Sequence, residues 1–210
     1  MQKLTSRLLV ISFVFLLFIS CKSYQLQGVT QKKTTHTSFQ NLYFSEPTTD
    51  YVYKAHIEVF GNNLSGILVA KKINDSVHRV AFTADFGNTL LDFELSEKIF
   101  KINYIVSNLN RNLIITTLKK DFRLLLIKNH AVQSVFENDD DIIYKSHEDN
   151  RDTYFYQRKK DNSFYKLVNT SKTKEKVTFT FLPKNTTSAE SVLIQHRNMP
   201  LKIELNQISN

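Results

Sequence analysis

The 210-residue sequence has one cysteine, Cys21, and no tryptophan. A lone thiol closes no disulfide within the chain and builds no multi-thiolate metal site. Glycine (4) and proline (3) are scarce, so no Gly-rich phosphate loop and no Gly-x-Ser-x-Gly nucleophile elbow is present. The histidines are dispersed, and none has a partner at helical metal-ligand spacing. The longest apolar stretch, Leu8 to Ile19 with Ser12 inside it, is shorter than the ~20 residues that span a bilayer. Catalysis by a recognisable motif is therefore absent from the sequence, and no cofactor is expected. What remains is aromatic and β-branched: 16 Phe and 9 Tyr, with Val, Ile and Thr in short runs that favour strands.

The first twenty residues have an order of their own. Lys3 and Arg7 form a charged start, Leu8 to Ile19 an apolar middle, and Ser20 a small residue before Cys21. That is the pattern of a secretory signal. Phe18-Ile19-Ser20-Cys21 resembles the lipobox cut by lipoprotein signal peptidase, departing from it at Phe18, where Leu is commonest. The resemblance implies a signal peptide over residues 1–20 and acyl chains, palmitate among them, on Cys21. Two or three such chains anchor far more firmly than one. Lys22-Ser23 lacks the Asp that retains some lipoproteins at the inner membrane, so a lipid anchor in the outer membrane is expected. The formal charge of +8 falls by two when Lys3 and Arg7 leave. The remaining basic residues are scattered, which reads as solubility, and the location excludes nucleic acid as a partner.

Residues 21–48 are polar and aperiodic and read as a flexible tether. Residues 49–210 read as one domain. From Tyr51 the pattern has period two: Tyr53, Ala55, Ile57 and Val59 share a face, opposite Lys54, His56 and Glu58. Further strands are expected at 64–72, 77–84, 89–95 and 99–106, joined by short turns as an antiparallel meander. The period then changes. With Ser107 as N-cap, Leu109, Leu113, Ile114, Leu118, Phe122, Leu125 and Leu126 predict an amphipathic helix, weakest at the β-branched run 114–117. Strands return at 142–146, 153–158, 164–168, 177–182, 192–196 and 201–208. About ten or eleven strands and one inserted helix predict a mainly β fold: a curved antiparallel sheet forming an incomplete barrel around the helix.

Lys54-Ala55-His56-Ile57-Glu58-Val59-Phe60 with Leu64-Ser65-Gly66-Ile67-Leu68-Val69 resembles the opening hairpin of LolA/LolB domains. Asn198-Met199-Pro200-Leu201-Lys202-Ile203-Glu204-Leu205 resembles their last strand, entered through a proline. The lack of Trp departs from many members. The resemblance implies a non-enzymatic outer-membrane lipoprotein, a monomer, that binds acyl chains in an apolar cavity and assists lipoprotein insertion. Its partners would be the membrane and acylated lipoproteins or a periplasmic carrier. Phe82, Leu91, Phe93, Phe100 and Phe122 would line the cavity. Phe86, in a turn, would touch the membrane as an exposed apolar residue does in LolB. The alternative is a structural or interaction lipoprotein of the envelope whose β-rich domain is filled by the same side chains. A hydrolase with a spatially assembled site stands third.

Overall fold

A computed structural model describes residues 24–33 and 36–208. Cys21 and the expected signal peptide lie outside the described residues. In chain order the elements are β1 (Thr30–Lys32), β2 (Ser38–Gln40), β3 (Asp50–Val59), β4 (Asn62–Lys72), β5 (His78–Ala84), β6 (Thr89–Leu95) and β7 (Phe100–Ile105). Then follow α1 (Asn112–Leu126), β8 (Asn129–Ala131), β9 (Ser134–Glu137), β10 (Asp141–Glu148), β11 (Arg151–Arg158) and β12 (Phe164–Thr170). β13 (Glu175–Pro183), β14 (Ala189–His196) and β15 (Leu201–Gln207) complete the fold.

The sheet is antiparallel, in the order β1-β9-β10-β11-β12-β13-β14-β15-β3-β4-β5-β6-β7. The last strand thus pairs with β3, placing Leu201 opposite Val59 and Ile203 opposite Ile57. β1 and β7 stay at opposite edges, so the barrel is incomplete, as the sequence led us to expect. Alternation along β3 follows the pattern of the sequence: Tyr53, Ala55, Ile57 and Val59 are buried while Lys54 and Glu58 face water. The concave face formed by such residues must be covered. α1 covers it with Ile114, Leu118, Phe122, Leu125 and Leu126.

Two local devices curl the sheet. Register shifts interrupt the pairing at Phe82/Thr83 and at Asp92/Phe93, and such bulges bend and twist a strand. At Gly66 the β5 backbone comes so close that a Cβ would stand 2.0 Å from the carbonyl oxygen of Thr83. Only glycine fits there. The β3–β4 turn is a two-residue Phe60-Gly61 link with both residues at positive φ, the geometry that matches the natural twist of a hairpin.

Two expectations are corrected. The helix begins after Arg111 instead of Ser107, and no side chain caps its first turn. Residues 107–109 form a separate turn, with the Asn110 amide bonded to the Ser107 carbonyl, and Leu109 is buried by it. The β-branched run is nevertheless helical, and Thr117 Oγ1 donates to the Leu113 carbonyl at 2.8 Å. Finally, residues 24–48 are not a free tether. Strands β1 and β2 pair with β9 and β8. Asn41, Tyr43 and Phe44 are buried, and Asn41 Nδ2 donates to the Leu125 carbonyl at the end of α1. Phe39, Leu42, Tyr43 and Phe44 carry too much apolar surface to remain in water.

Candidate functional site

The strand register sorts the turns between two ends of the sheet. The links 60–61, 85–88, 149–150 and 197–200 lie at one end, together with segment 106–111 that enters α1. The helix leaves at the far end, beside the buried strap around Asn41.

Four of the five expected cavity residues meet between α1 and the sheet. Phe82 and Leu91 from the sheet and Phe122 from the helix line one all-apolar hollow, joined by Leu68, Ile114 and Leu118. Phe93 lies beside them, with its ring centroid 5.0 Å from Phe122 in an edge-to-face contact. The fifth, Phe100, is half-buried on β7 and tilts against Phe93 at 5.3 Å. Such pairs contribute about 0.5–1.5 kcal/mol beyond burial. The hollow itself measures only about 10 Å³, at the lower limit for one water. The side chains of α1 fill the space between the helix and the sheet. Larger clefts, about 420 and 310 Å³, open at the far end, and their walls are mixed, with Lys72, Lys98 and Lys128 beside Ile99, Leu126 and Ile127 in one and Asp161, Asn162 and Asn185 beside Phe39, Leu42 and Phe164 in the other.

The two ends of α1 are held unequally. At its exit, Asn41 holds the Leu125 carbonyl, and His130 Nε2 lies 3.0 Å from the Ile127 carbonyl. Midway, Asp121 Oδ2 meets His196 Nε2 at 2.8 Å, with both side chains buried. Burial raises the Asp121 carboxyl above its ordinary pKa, and the His196 hydrogen bond opposes this. At its entry the helix has no side-chain cap, and Leu113 is 55% exposed. Phe86 stands at the same end of the sheet, 95% exposed at the tip of the β5–β6 turn. That turn is braced by an Ala84 amide bond to the Asn88 carbonyl and by an ion pair between Lys54 and Asp85.

A second aromatic cluster, of Phe39, Tyr43, Phe155, Phe164 and Phe181, was not anticipated. Phe39 stacks on Phe155 at 4.5 Å, and Tyr43 lies 5.1 Å from Phe181. The concentration of aromatics at 39–44 was the available signal. The Asp121–His196 pair was missed as well, although Asp121 falls on the apolar arc of Ile114, Leu118 and Leu125. The His147-Glu148-Asp149 cluster occupies the β10–β11 hairpin, where His147 pairs with Asp152 at 2.7 Å. Among the described residues no group of three or more His, Cys, Asp or Glu could hold a metal ion, and no helix is long and apolar enough to cross a membrane.

No protein-family model matches the chain, and no curated protein matches it. Among solved structures the chain is similar to a LolA superfamily protein from Nitrosomonas europaea, at 8% identity over 79% of this chain and 87% of that one, with a TM-score of 0.47. It is also similar to a putative outer membrane lipoprotein-sorting protein domain from Vibrio parahaemolyticus, at 11% identity over 76% of this chain and 83% of that one, with a TM-score of 0.41.

Proposed function

We propose that this chain is an envelope lipoprotein, anchored through Cys21 at the outer membrane, that takes up acyl chains between α1 and the concave sheet. The observation that carries the reading is the all-apolar seam beneath the uncapped end of the helix. The ligand enters at that end, and the first turns of α1 yield to it while Asn41 and His130 hold the exit. No cofactor takes part. Each methylene moved from water into the seam contributes roughly 0.8 kcal/mol. That gain offsets the contacts α1 gives up. Acylated lipoproteins, received from a periplasmic carrier, are the clients, and Phe86 touches the bilayer into which they are released. The protein works as a monomer and catalyses no reaction.

The test is titration of the full chain, in a mild maltoside detergent, with a fluorescent twelve-carbon fatty acid and with an acylated peptide. Saturable binding, weakened by Leu91→Asp or Phe122→Asp variants that still fold, is the expected result. No saturable uptake of either probe would overturn the reading.

A second reading is favoured by the small volume of the seam, about 10 Å³. In it the domain is permanently filled and docks a partner in the envelope. Hydrogen exchange separates the two, because only a displaceable helix loses amide protection at 112–118 when the fatty acid is added.

A further inference from the structure

The outward face of α1 carries a different chemistry from its inward face. Thr116, Lys119, Lys120 and Arg123 recur at i, i+3, i+4 and i+7 and so share one side of the helix. Opposite them stands the β10–β11 hairpin, turned by Asp149 and Asn150 at positive φ, with Arg151 at its base. Between the two lies a cleft of about 240 Å³, floored by Thr153 and Asn169. Four cations line it: Lys119, Lys120, Arg123 and Arg151. Two carboxylates, Glu148 and Asp149, also line it, and both are exposed at the rim.

Three features make this more than a scatter of surface charge. None of the four cations has a carboxylate within 4.0 Å among the described residues, whereas ten Lys or Arg contacts with a carboxylate form elsewhere. The Arg151 guanidinium is fixed in place, donating to Asn169 Oδ1 at 3.1 Å, while Asn169 Nδ2 donates to Thr153 Oγ1 at 2.9 Å. And the Arg123 Nε is buried with no hydrogen-bond partner. A buried N–H donor without an acceptor is costly, and a turn of the Arg123 side chain that brings this N–H toward an oxyanion in the cleft would satisfy it. The nearest buried carboxyl, Asp121, is already engaged by His196.

We propose that this cleft binds a phosphoryl anion, and that its source is the phosphodiester of an anionic phospholipid. Two guanidiniums and two ammoniums are the donor types that phosphate oxygens accept, and the Lys119 ammonium also stands 5.9 Å from the centroid of the Phe100 ring. The β10–β11 turn lies at the same end of the sheet as Phe86, so a headgroup can reach the cleft while that ring meets the bilayer. The site is on the outward face of α1 and stands whether or not the inward face yields to an acyl chain.

Calorimetric titration of the full chain in maltoside micelles tests this, with inorganic phosphate and with dihexanoyl-phosphatidylglycerol as probes. The lipid should bind at least ten-fold more tightly than phosphate. Both should weaken ten-fold or more in Arg123→Gln/Arg151→Gln, be partly restored in Arg123→Lys/Arg151→Lys, and be unchanged in Lys160→Gln/Lys184→Gln, which alters the same charge at the far end. Should the arginine pair fail to fold, Lys119→Gln/Lys120→Gln carries the same comparison. If phosphate binds as tightly as the lipid, the lipid source is overturned and the anion site stands. No binding of either probe, or equal losses in the cleft and far-end pairs, overturns the site itself.

Discussion

His196 Nε2 on β14 is hydrogen-bonded to Asp121 Oδ2 on α1 across 2.8 Å, and this buried contact ties the middle of the helix to the sheet. Removing one partner of a buried pair typically costs about 3–5 kcal/mol, because the other is left uncompensated. His196→Ala should therefore destabilise the fold by roughly 3 kcal/mol. Burial is the main influence on the Asp121 carboxyl and raises its pKa, against the hydrogen bond and charge of His196 and the charges of Arg151 and Lys120. A carboxyl whose folded pKa lies above its unfolded value contributes stability below the unfolded value, lost as pH rises through the folded one. Relative to Asp121→Asn, the wild-type chain should thus lose stability as pH climbs from about 4. Parallel urea-midpoint curves for the two proteins would refute this.

His130 acts in the opposite direction. Its ring lies 4.6 Å from Phe155, and burial pushes its pKa down to about 4. The unfolded chain binds this proton near pH 6.5, the folded chain only near 4. Stability is therefore full above the higher value and falls on acidification between the two, by roughly 3 kcal/mol at about 1.4 kcal/mol per pH unit. His130→Phe keeps the ring contact and removes the proton. Its denaturation midpoint should fall less than that of the wild type between pH 7 and pH 4.5.

These two residues also show where sequence reading stops. The strands of the meander were legible because each alternates on a half-buried surface, as Tyr53, Ala55, Ile57 and Val59 do. The inward Phe82 and Phe93 were legible for the same reason, and Phe122 from the three- and four-residue spacing along α1. Short strands β1, β2, β8 and β9 have too few residues to set a period, and their partners lie about a hundred positions away. Register between distant segments is a tertiary property, so the meeting of Asp121 with His196, and of Arg123 with Arg151 across the cleft, was written nowhere locally. Nor does a sequence disclose volume. The apolar residues were in view, but not that α1 would fill the space between them.

Gly66 offers a test of what curls the sheet. A Cβ there would meet backbone atoms of Thr83 and Ala84, all within 3.0 Å, and backbone cannot swing aside as a long side chain can. Gly66→Ala should destabilise the domain by several kcal/mol, at the high end for a single substitution. A glycine in a flat, open strand would instead gain up to about 1 kcal/mol from the same change. A rise in the thermal midpoint of Gly66→Ala would sink the idea that close approach at this point shapes the concave face.

Phe86 is suited to separate folding from membrane contact. Its side chain is 95% exposed, so Phe86→Ser should leave stability within about 0.5 kcal/mol of wild type. If it enters a bilayer, release of an acylated client into vesicles should slow several-fold in Phe86→Ser while client uptake is unchanged. Equal slowing of uptake and release would place Phe86 outside the membrane step.

Phe93 distinguishes a filled seam from a hollow one. It is fully buried between Phe122 and Phe100, so in the ligand-free chain Phe93→Ala should cost about 3–5 kcal/mol. A loss below about 1 kcal/mol would mean that the seam is far looser than its geometry. The ligand then decides between the two functions. A molecule that binds only the folded chain raises the unfolding midpoint by mass action. If α1 yields to acyl chains, lauric acid should raise the midpoint of the wild type, and raise that of Phe93→Ala more, because the helix there gives up fewer contacts. If the domain is a permanently filled docking module, the wild-type midpoint stays where it was.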